Sequence, residues 1–333
     1  MEAFSKTFDQ FPLIKSCKPS CIDTDIPAAI DLSLPEAKTL LVKACEEFGF
    51  FKVTNHGVPM EFAHKLECEA MKFFSATLSE KEKVGPPNPS GYGNMKVGRN
   101  GDICWVEYLL MMTCKPDEFI CQRIPETFGA SRDHLCFALR DYTSAVRKLT
   151  CEVLELLAEG LELKPKDYFS NLIVGEDKET IFRINHNPPC PQLENFDGLD
   201  LVGFGAHTDP QVISTMRSND VEGYQIHLQN GTWLPVPPDP TSFFFNVGDS
   251  LQVMTNGRFK SVNHRVLANS MKSRISMIYF SGPRQSEIIS PIQSIMKDGE
   301  ESMYEQFTWG EYRKSVNKSR LADNRLKPFE RKK

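Results

Sequence analysis

The stretch from Thr180 to Pro283 constrains the fold more than any other part of the chain. Short runs of β-branched and aromatic residues, from "TIFRINHN" to "SRISMIYF", alternate there with turn pairs at Asn230-Gly231, Gly248-Asp249 and Asn256-Gly257. Runs of that length bounded by such pairs read as short antiparallel strands. Several in series close into a sandwich, a barrel or a jelly roll. The predicted class is therefore mainly β with flanking helices.

The residues before this stretch follow a helical period instead. In "SLPEAKTLLVKACEEFGFFKV" Ser33 and Glu36 stand at capping-box spacing and Pro35 falls in the first turn. Leu40, Leu41, Ala44 and Phe48 then form an apolar stripe that Gly49 ends. "FFKVTNHG" predicts a strand running into a turn, and "PMEFAHKLECEAMKFFSA" a second helix. The clearest helix holds Leu135, Leu139, Tyr142, Val146, Leu149, Val153, Leu156 and Leu157 at helical spacing, with Gly160 closing it. Residues 85–104, dense in glycine and proline, predict an irregular loop long enough to line a site. Near the end, Thr308 and Glu311 predict another capping box. The organisation read from these signals is a helical region over 1–178, a jelly-roll core over 179–284 and a helical extension over 285–333.

Composition narrows the function by exclusion. With 333 residues, 40% hydrophobic and 25% charged, the chain resembles an ordinary globular protein with a large core. A net charge of −5 without a long run of one sign argues against nucleic acid or an acidic membrane surface as partner. The N-terminal "MEAFSKTFDQFPLIKS" has no apolar core of signal-peptide length, and no run approaches the ~18 residues of a membrane span. Ten cysteines occur without a Cys-x-x-Cys, and Cys17 and Cys21 lack the second pair that zinc needs. Reduced thiols and a cytoplasmic location are the expectation.

Chemistry enters at "FGAHTDPQ". Residues i and i+2 of a strand share a face, so His207 and Asp209 can present an imidazole nitrogen and a carboxylate oxygen to one point. His264, in the strand-like "RFKSVNHRVLAN", offers a third ligand. Two histidines and a carboxylate make the facial triad of non-haem Fe(II) oxygenases; zinc uses similar ligands when a general base stands by. Arg274 and Ser276, again at i and i+2, separate the two readings. An arginine aimed into a barrel lumen is costly unless an anion meets it, and a guanidinium beside a hydroxyl suits a carboxylate. A metal with open positions and a carboxylate anchor together suit a chelating keto acid such as 2-oxoglutarate.

Longer stretches carry a family resemblance. "ACEEFGFFKVTNHGV", "GYGNMKVGRNGDICWVEYLLM", "FNVGDSLQVMTNGRFKSVNHRVLAN", "SRISMIYFSGP" and "FTWGEYRKSVNKSRLADNRLKPFERK" are the segments concerned. Through them the chain resembles the plant 2-oxoglutarate and Fe(II)-dependent dioxygenases, most closely the gibberellin 2-oxidases of the C19-gibberellin branch. The resemblance implies a double-stranded β-helix (jelly-roll) core, with Fe(II) on His207, Asp209 and His264. It places 2-oxoglutarate on Arg274 and Ser276, with Asn185 and Asn187 beside it. It also implies O2 as oxidant, ascorbate as reductant, and a small-molecule substrate hydroxylated at C2 of a gibberellin, which inactivates the hormone.

On the substrate side Arg99, Lys96, Trp105 and Tyr108, in or next to the glycine-rich segment, are the candidates, with Ala206 beside the metal histidine. Two positions depart from the family pattern. Asn187 stands where the family has a tyrosine that holds the cosubstrate carboxylate, and Ala206 where gibberellin 2-oxidases carry glutamate. These departures motivate a second reading, a related enzyme hydroxylating or desaturating a different specialised metabolite such as an alkaloid or terpenoid.

Overall fold

The computed structural model describes residues 10–16, 28–97, 101–113, 123–124 and 126–332. Two short strands, β1 (Leu13–Lys15) and β2 (Ile30–Asp31), precede helix α1 (Ala37–Glu47), strand β3 (Phe50–Thr54) and helices α2 (Met60–Phe74) and α3 (Leu78–Glu82). Strands β4 (Gly91–Val97) and β5 (Asp102–Met112) lead to the long helix α4 (Ala130–Gly160). The β-rich stretch then gives β6 (Ile181–Asn187), β7 (Leu199–His207), β8 (Ile213–Ser218), β9 (Tyr224–His227), β10 (Trp233–Pro235) and β11 (Phe243–Val247). Helix α5 (Asp249–Met254) separates β11 from β12 (His264–Leu267) and β13 (Arg274–Ser281), and β14 (Ile288–Ile289), β15 (Phe307–Thr308) and α6 (Trp309–Val316) follow.

Strands β1 to β13 form two facing sheets, and β14 pairs with β15 apart from them. The order β2-β3-β11-β8-β13-β6-β5-β4 makes the larger, and β1-β7-β12-β9-β10 the smaller. From β6 to β13 the chain crosses between the two sheets at every step except β9 to β10, a hairpin within the smaller sheet, which is the arrangement of a double-stranded β-helix, and the N-terminal strands extend both.

Alternation along each strand decides what lies inside. Phe182, Ile184, Phe243, Phe245, Ile275 and Met277 point out from the larger sheet into the core made with Leu41, Leu66, Leu149 and Val153 of the helices. Met216, Phe244 and Ile278 point the other way, against Phe204, Tyr224 and Val266 of the smaller sheet. The run Phe243–Phe245 is therefore buried throughout, as expected of core packing. Each such side chain contributes roughly 1.5–3 kcal/mol by leaving water.

Local detail corrects several expectations. Residues 85–104 contain no long irregular loop: β4 and β5 pair as an antiparallel hairpin at the end of the larger sheet, residues 98–100 lying outside the described ones. Glycine content hid the strand; at Gly93 a Cβ would come within 2.3 Å of the Tyr108 ring, so only glycine lets that ring lie across the hairpin. Buried Glu107 anchors the hairpin, accepting from Lys81 Nζ at 2.6 Å, from Tyr92, and from His186 Nδ1 at 2.7 Å. The Ser33–Glu36 capping box does not form, because the Asp31 carboxylate accepts from both the amide and the hydroxyl of Ser33. On α1 the buried face is Ala37, Leu41, Val42, Ala44 and Cys45, while Leu40 is exposed. Gly248-Asp249 and Asn256-Gly257 flank α5 rather than turning hairpins, whereas the Thr308–Glu311 capping box forms as predicted.

Cys45, Cys68, Cys104, Cys151 and Cys190 are free thiols; Cys136 is disulfide-bonded, contrary to the expectation of reduced thiols throughout. Among the described residues no helix is long and apolar enough to cross a membrane.

Candidate active site

Antiparallel pairing of β7 with β12 sets His207 directly opposite His264, and their ring centroids lie 4.2 Å apart. The chain then leaves β7 and returns through Asp209. His207 Nε2 lies 3.6 Å and His264 Nε2 3.8 Å from Asp209 Oδ1. These donor atoms all fall within 4.8 Å of one another, as one metal ion requires.

Hydrogen bonds around the three fix which atoms point inward. A backbone carbonyl can only accept, so Gly205 O at 2.8 Å from His207 Nδ1 and Val262 O at 3.1 Å from His264 Nδ1 place the protons on the Nδ1 atoms. Both Nε2 lone pairs are thereby free for a cation. Asp209 is arranged the same way. Ser214 Oγ and Asn246 Nδ2 donate to its Oδ2 at 2.7 and 3.4 Å, leaving Oδ1 toward the imidazoles. Burial, then the nearby His264, push the His207 pKa down to about 3, so this imidazole is neutral at pH 7. Burial opposes charge on Asp209, but the two imidazoles and the bonds from Ser214 and Asn246 prevail and lower its pKa.

The other expected pair lies further along the lumen. Arg274 and Ser276 on β13 are 1% exposed and face inward, opposite Asn187 and Asn185 of β6. Ser276 and Asn185 line the cavity that holds the metal-site residues, and Arg274 lines the adjoining one. Met216 and Tyr224 border both. Nε and Nη1 of Arg274 have no partner. Burial pulls its pKa down to about 10, against the opposing influence of Tyr224, so it remains charged. A buried cation with unused donors fits an anion such as a carboxylate. The donor set thus suits both a divalent metal and an acidic ligand reaching from it.

Other expectations fare differently. Asn187 does not line the cavity: its amide donates to Trp105 O at 2.7 Å and Gly203 O at 3.2 Å, tying β6 to β5 and β7. Trp105 also lies elsewhere, packing edge-on against Phe11 with its indole N–H on Pro188 O. Lys96 is exposed, Ala206 is half-buried and lines neither cavity bordered by His207, and Arg99 lies outside the described residues. Tyr108 lies behind the cavity wall and does not line it: its ring centroid is 3.7 Å from the guanidinium of Arg183, which does.

Sequence reasoning missed Arg183, Asn246 and Tyr224, which all line the metal cavity. Arg183 donates from Nε to Asn185 Oδ1 at 2.6 Å, and Tyr224 donates to Asn246 Oδ1 at 2.8 Å. The alternation that places Asn185 inward also places Arg183 inward, a signal present in "FRIN".

Comparison with known proteins agrees with this geometry. Residues 178–283 match the family model of the 2OG-Fe(II) oxygenase superfamily, and residues 26–126 that of the non-haem dioxygenase in morphine synthesis N-terminal region. The chain is 54% identical to gibberellin 2-beta-dioxygenase 1 of Pisum sativum, over 98% of this chain and 97% of that one. It is 53% identical to gibberellin 2-beta-dioxygenase 1 of Arabidopsis thaliana, over 91% and 92%. A crystal structure of JOX2 in complex with 2OG, Fe and JA superimposes with a TM-score of 0.81 at 26% identity, over 97% of this chain and 94% of that one.

Proposed function

The chain belongs to the gibberellin 2-beta-dioxygenases, within the 2OG-Fe(II) oxygenase superfamily, and on that premise we propose that it hydroxylates C19 gibberellins at C2. The reaction uses Fe(II) and 2-oxoglutarate, with O2 as oxidant and ascorbate as the typical reductant. The observation that carries this reading is the clustered His207, Asp209 and His264 donor set opening onto the same lumen as a partnerless Arg274.

Bound Fe(II) and 2-oxoglutarate supply the activation of O2 that oxidises a substrate C–H bond, with succinate and CO2 as the other products. The protein's residues do the positioning. His207, Asp209 and His264 would hold the iron. Ser214 and Asn246 keep Asp209 Oδ1 aimed at the metal. Arg274 and Ser276 would take the far carboxylate of the keto acid, and the apolar walls of Phe204, Met216 and Ile278 keep water from the lumen.

Asn187 and Ala206 support a different substrate only weakly, since Asn187 is occupied by backbone carbonyls. Incubation with a C19 gibberellin, 2-oxoglutarate, Fe(II) and ascorbate tests the proposal: mass spectrometry should find a product one oxygen heavier. Turnover of another small molecule, with the gibberellin untouched, would sink it.

A further inference from the structure

His207 and Thr208 also wall a second cavity, of about 280 Å³, that the proposed reaction does not yet use. The segment Leu321–Leu326, beyond α6, covers it. Arg325 on this segment is only 7% exposed. Its Nη1 donates to Thr208 O at 2.9 Å, the carbonyl between two of the three metal-site residues, while its Nε has no partner. Asn263 Oδ1, also buried on the cavity wall, is likewise unpaired.

A buried guanidinium with an unused N–H beside open volume is a carboxylate site awaiting its ligand. Two acids, Asp249 and Asp323, share this wall, and neither hydrogen-bonds Arg325: the Asp249 oxygens accept from Ser261, Tyr312 and Thr208, and Asp323 Oδ2 accepts from the Arg320 amide. Arg183, another cation near the metal residues, serves a different space: it lines the metal cavity, packed against the Tyr108 and Phe204 rings with its Nε on Asn185 and its Nη2 without a partner, whereas Arg325 lines the second cavity. Leu321 and Leu326 give the polar cavity an apolar rim, and Leu321 also packs on the lumen cluster.

We propose that Arg325 anchors the substrate's carboxylate, so that the C-terminal segment binds a rigid carboxylic acid beside His207. This inference rests on the gibberellin reading above, since a gibberellin is an apolar diterpenoid bearing such a carboxylate.

The test is calorimetric titration of the full-length protein, loaded anaerobically with Fe(II) and 2-oxoglutarate, with a C19 gibberellin and with its methyl ester. Wild type should bind the acid about tenfold or more tighter than the ester, the range of one charge-assisted contact. Arg325→Gln should bring the acid to the level of the ester with 2-oxoglutarate affinity unchanged, and Arg325→Lys should recover part of the preference. An acid preference retained in Arg325→Gln overturns the anchor while leaving the gibberellin reading standing. Loss of 2-oxoglutarate affinity in both variants also overturns it, marking Arg325 as a brace for the Thr208 backbone. Wild type that binds neither acid nor ester, while turning over another compound, overturns the gibberellin reading and this inference with it.

Discussion

Arg274 shows how a residue can cost stability in exchange for the role proposed for it. Its buried guanidinium leaves Nε and Nη1 unpaired, and an unpaired buried charge is destabilising. Replacement by methionine, which is similar in length, should therefore raise the melting temperature of protein without metal or cosubstrate. The same Arg274→Met change should raise the KM for 2-oxoglutarate by about tenfold to a hundredfold, the worth of one or two charge-assisted bonds. An unchanged KM would remove Arg274 from the cosubstrate site. His207 carries a pH signature. Its folded pKa, pushed down to about 3 by burial and by His264, lies below the ~6.5 of an unfolded histidine. Below about pH 6.5 the unfolded chain therefore takes up a proton that the folded protein refuses. Stability of the metal-free protein falls from there toward pH 3, by at most about 1.4 kcal/mol per pH unit from this group. Urea midpoints at pH 7 and pH 5 should diverge less in His207→Asn; an equal divergence would mean that His207 titrates normally. The three metal-site residues were legible because i, i+2 spacing on a strand is a pattern in one dimension. Arg325 was not, because its importance comes from a cavity that only the folded C-terminal segment closes.

At the scale of elements, helical periodicity identified α4, and Gly160 at its end was expected to stop it. The structure assigns that glycine another job. A Cβ there would come within 2.6 Å of Val42 Cγ2 and 2.9 Å of Lys38 O, both on α1, so Gly160 permits the close approach of the two helices. Chain reversal falls two residues later, at Glu162 with φ of 58°. Gly160→Ala improves intrinsic helix propensity, yet should destabilise by about 1–3 kcal/mol through overpacking. The change lies outside the lumen, so the KM for 2-oxoglutarate should not move. A stabilised Gly160→Ala variant in thermal denaturation would show that α1 gives way freely. The β4–β5 hairpin was unreadable for a related reason. Glycine signals a turn in a local reading, but Gly93 serves a contact with Tyr108, and Glu107 pairs across strands and helices far apart in sequence.

In the whole molecule, the site exists only when both sheets are registered. Pairing of β7 with β12 brings His207 to His264, while Arg274 and Ser276 come from β13 in the opposite sheet. The alternating pattern of Thr180–Pro283 made this barrel legible, since strands of that number and length have few ways to close. The participation of the N-terminal strands and the C-terminal segment was not, because nothing local marks a strand as joining a distant sheet. A ligand that bridges the sheets must then stabilise the whole fold, and its effect separates the two ends of the site. Anaerobic Fe(II) should raise the melting temperature, and 2-oxoglutarate at a hundred times its Kd should add about 2.7 kcal/mol, a shift of a few degrees. His207→Ala should lose the metal increment and, with the chelating partner gone, most of the 2-oxoglutarate increment. Arg274→Met should keep the first and lose much of the second. Equal responses of the two variants in differential scanning fluorimetry would mean that metal and keto acid do not share one lumen, which would break the link between the paired histidines and the buried arginine.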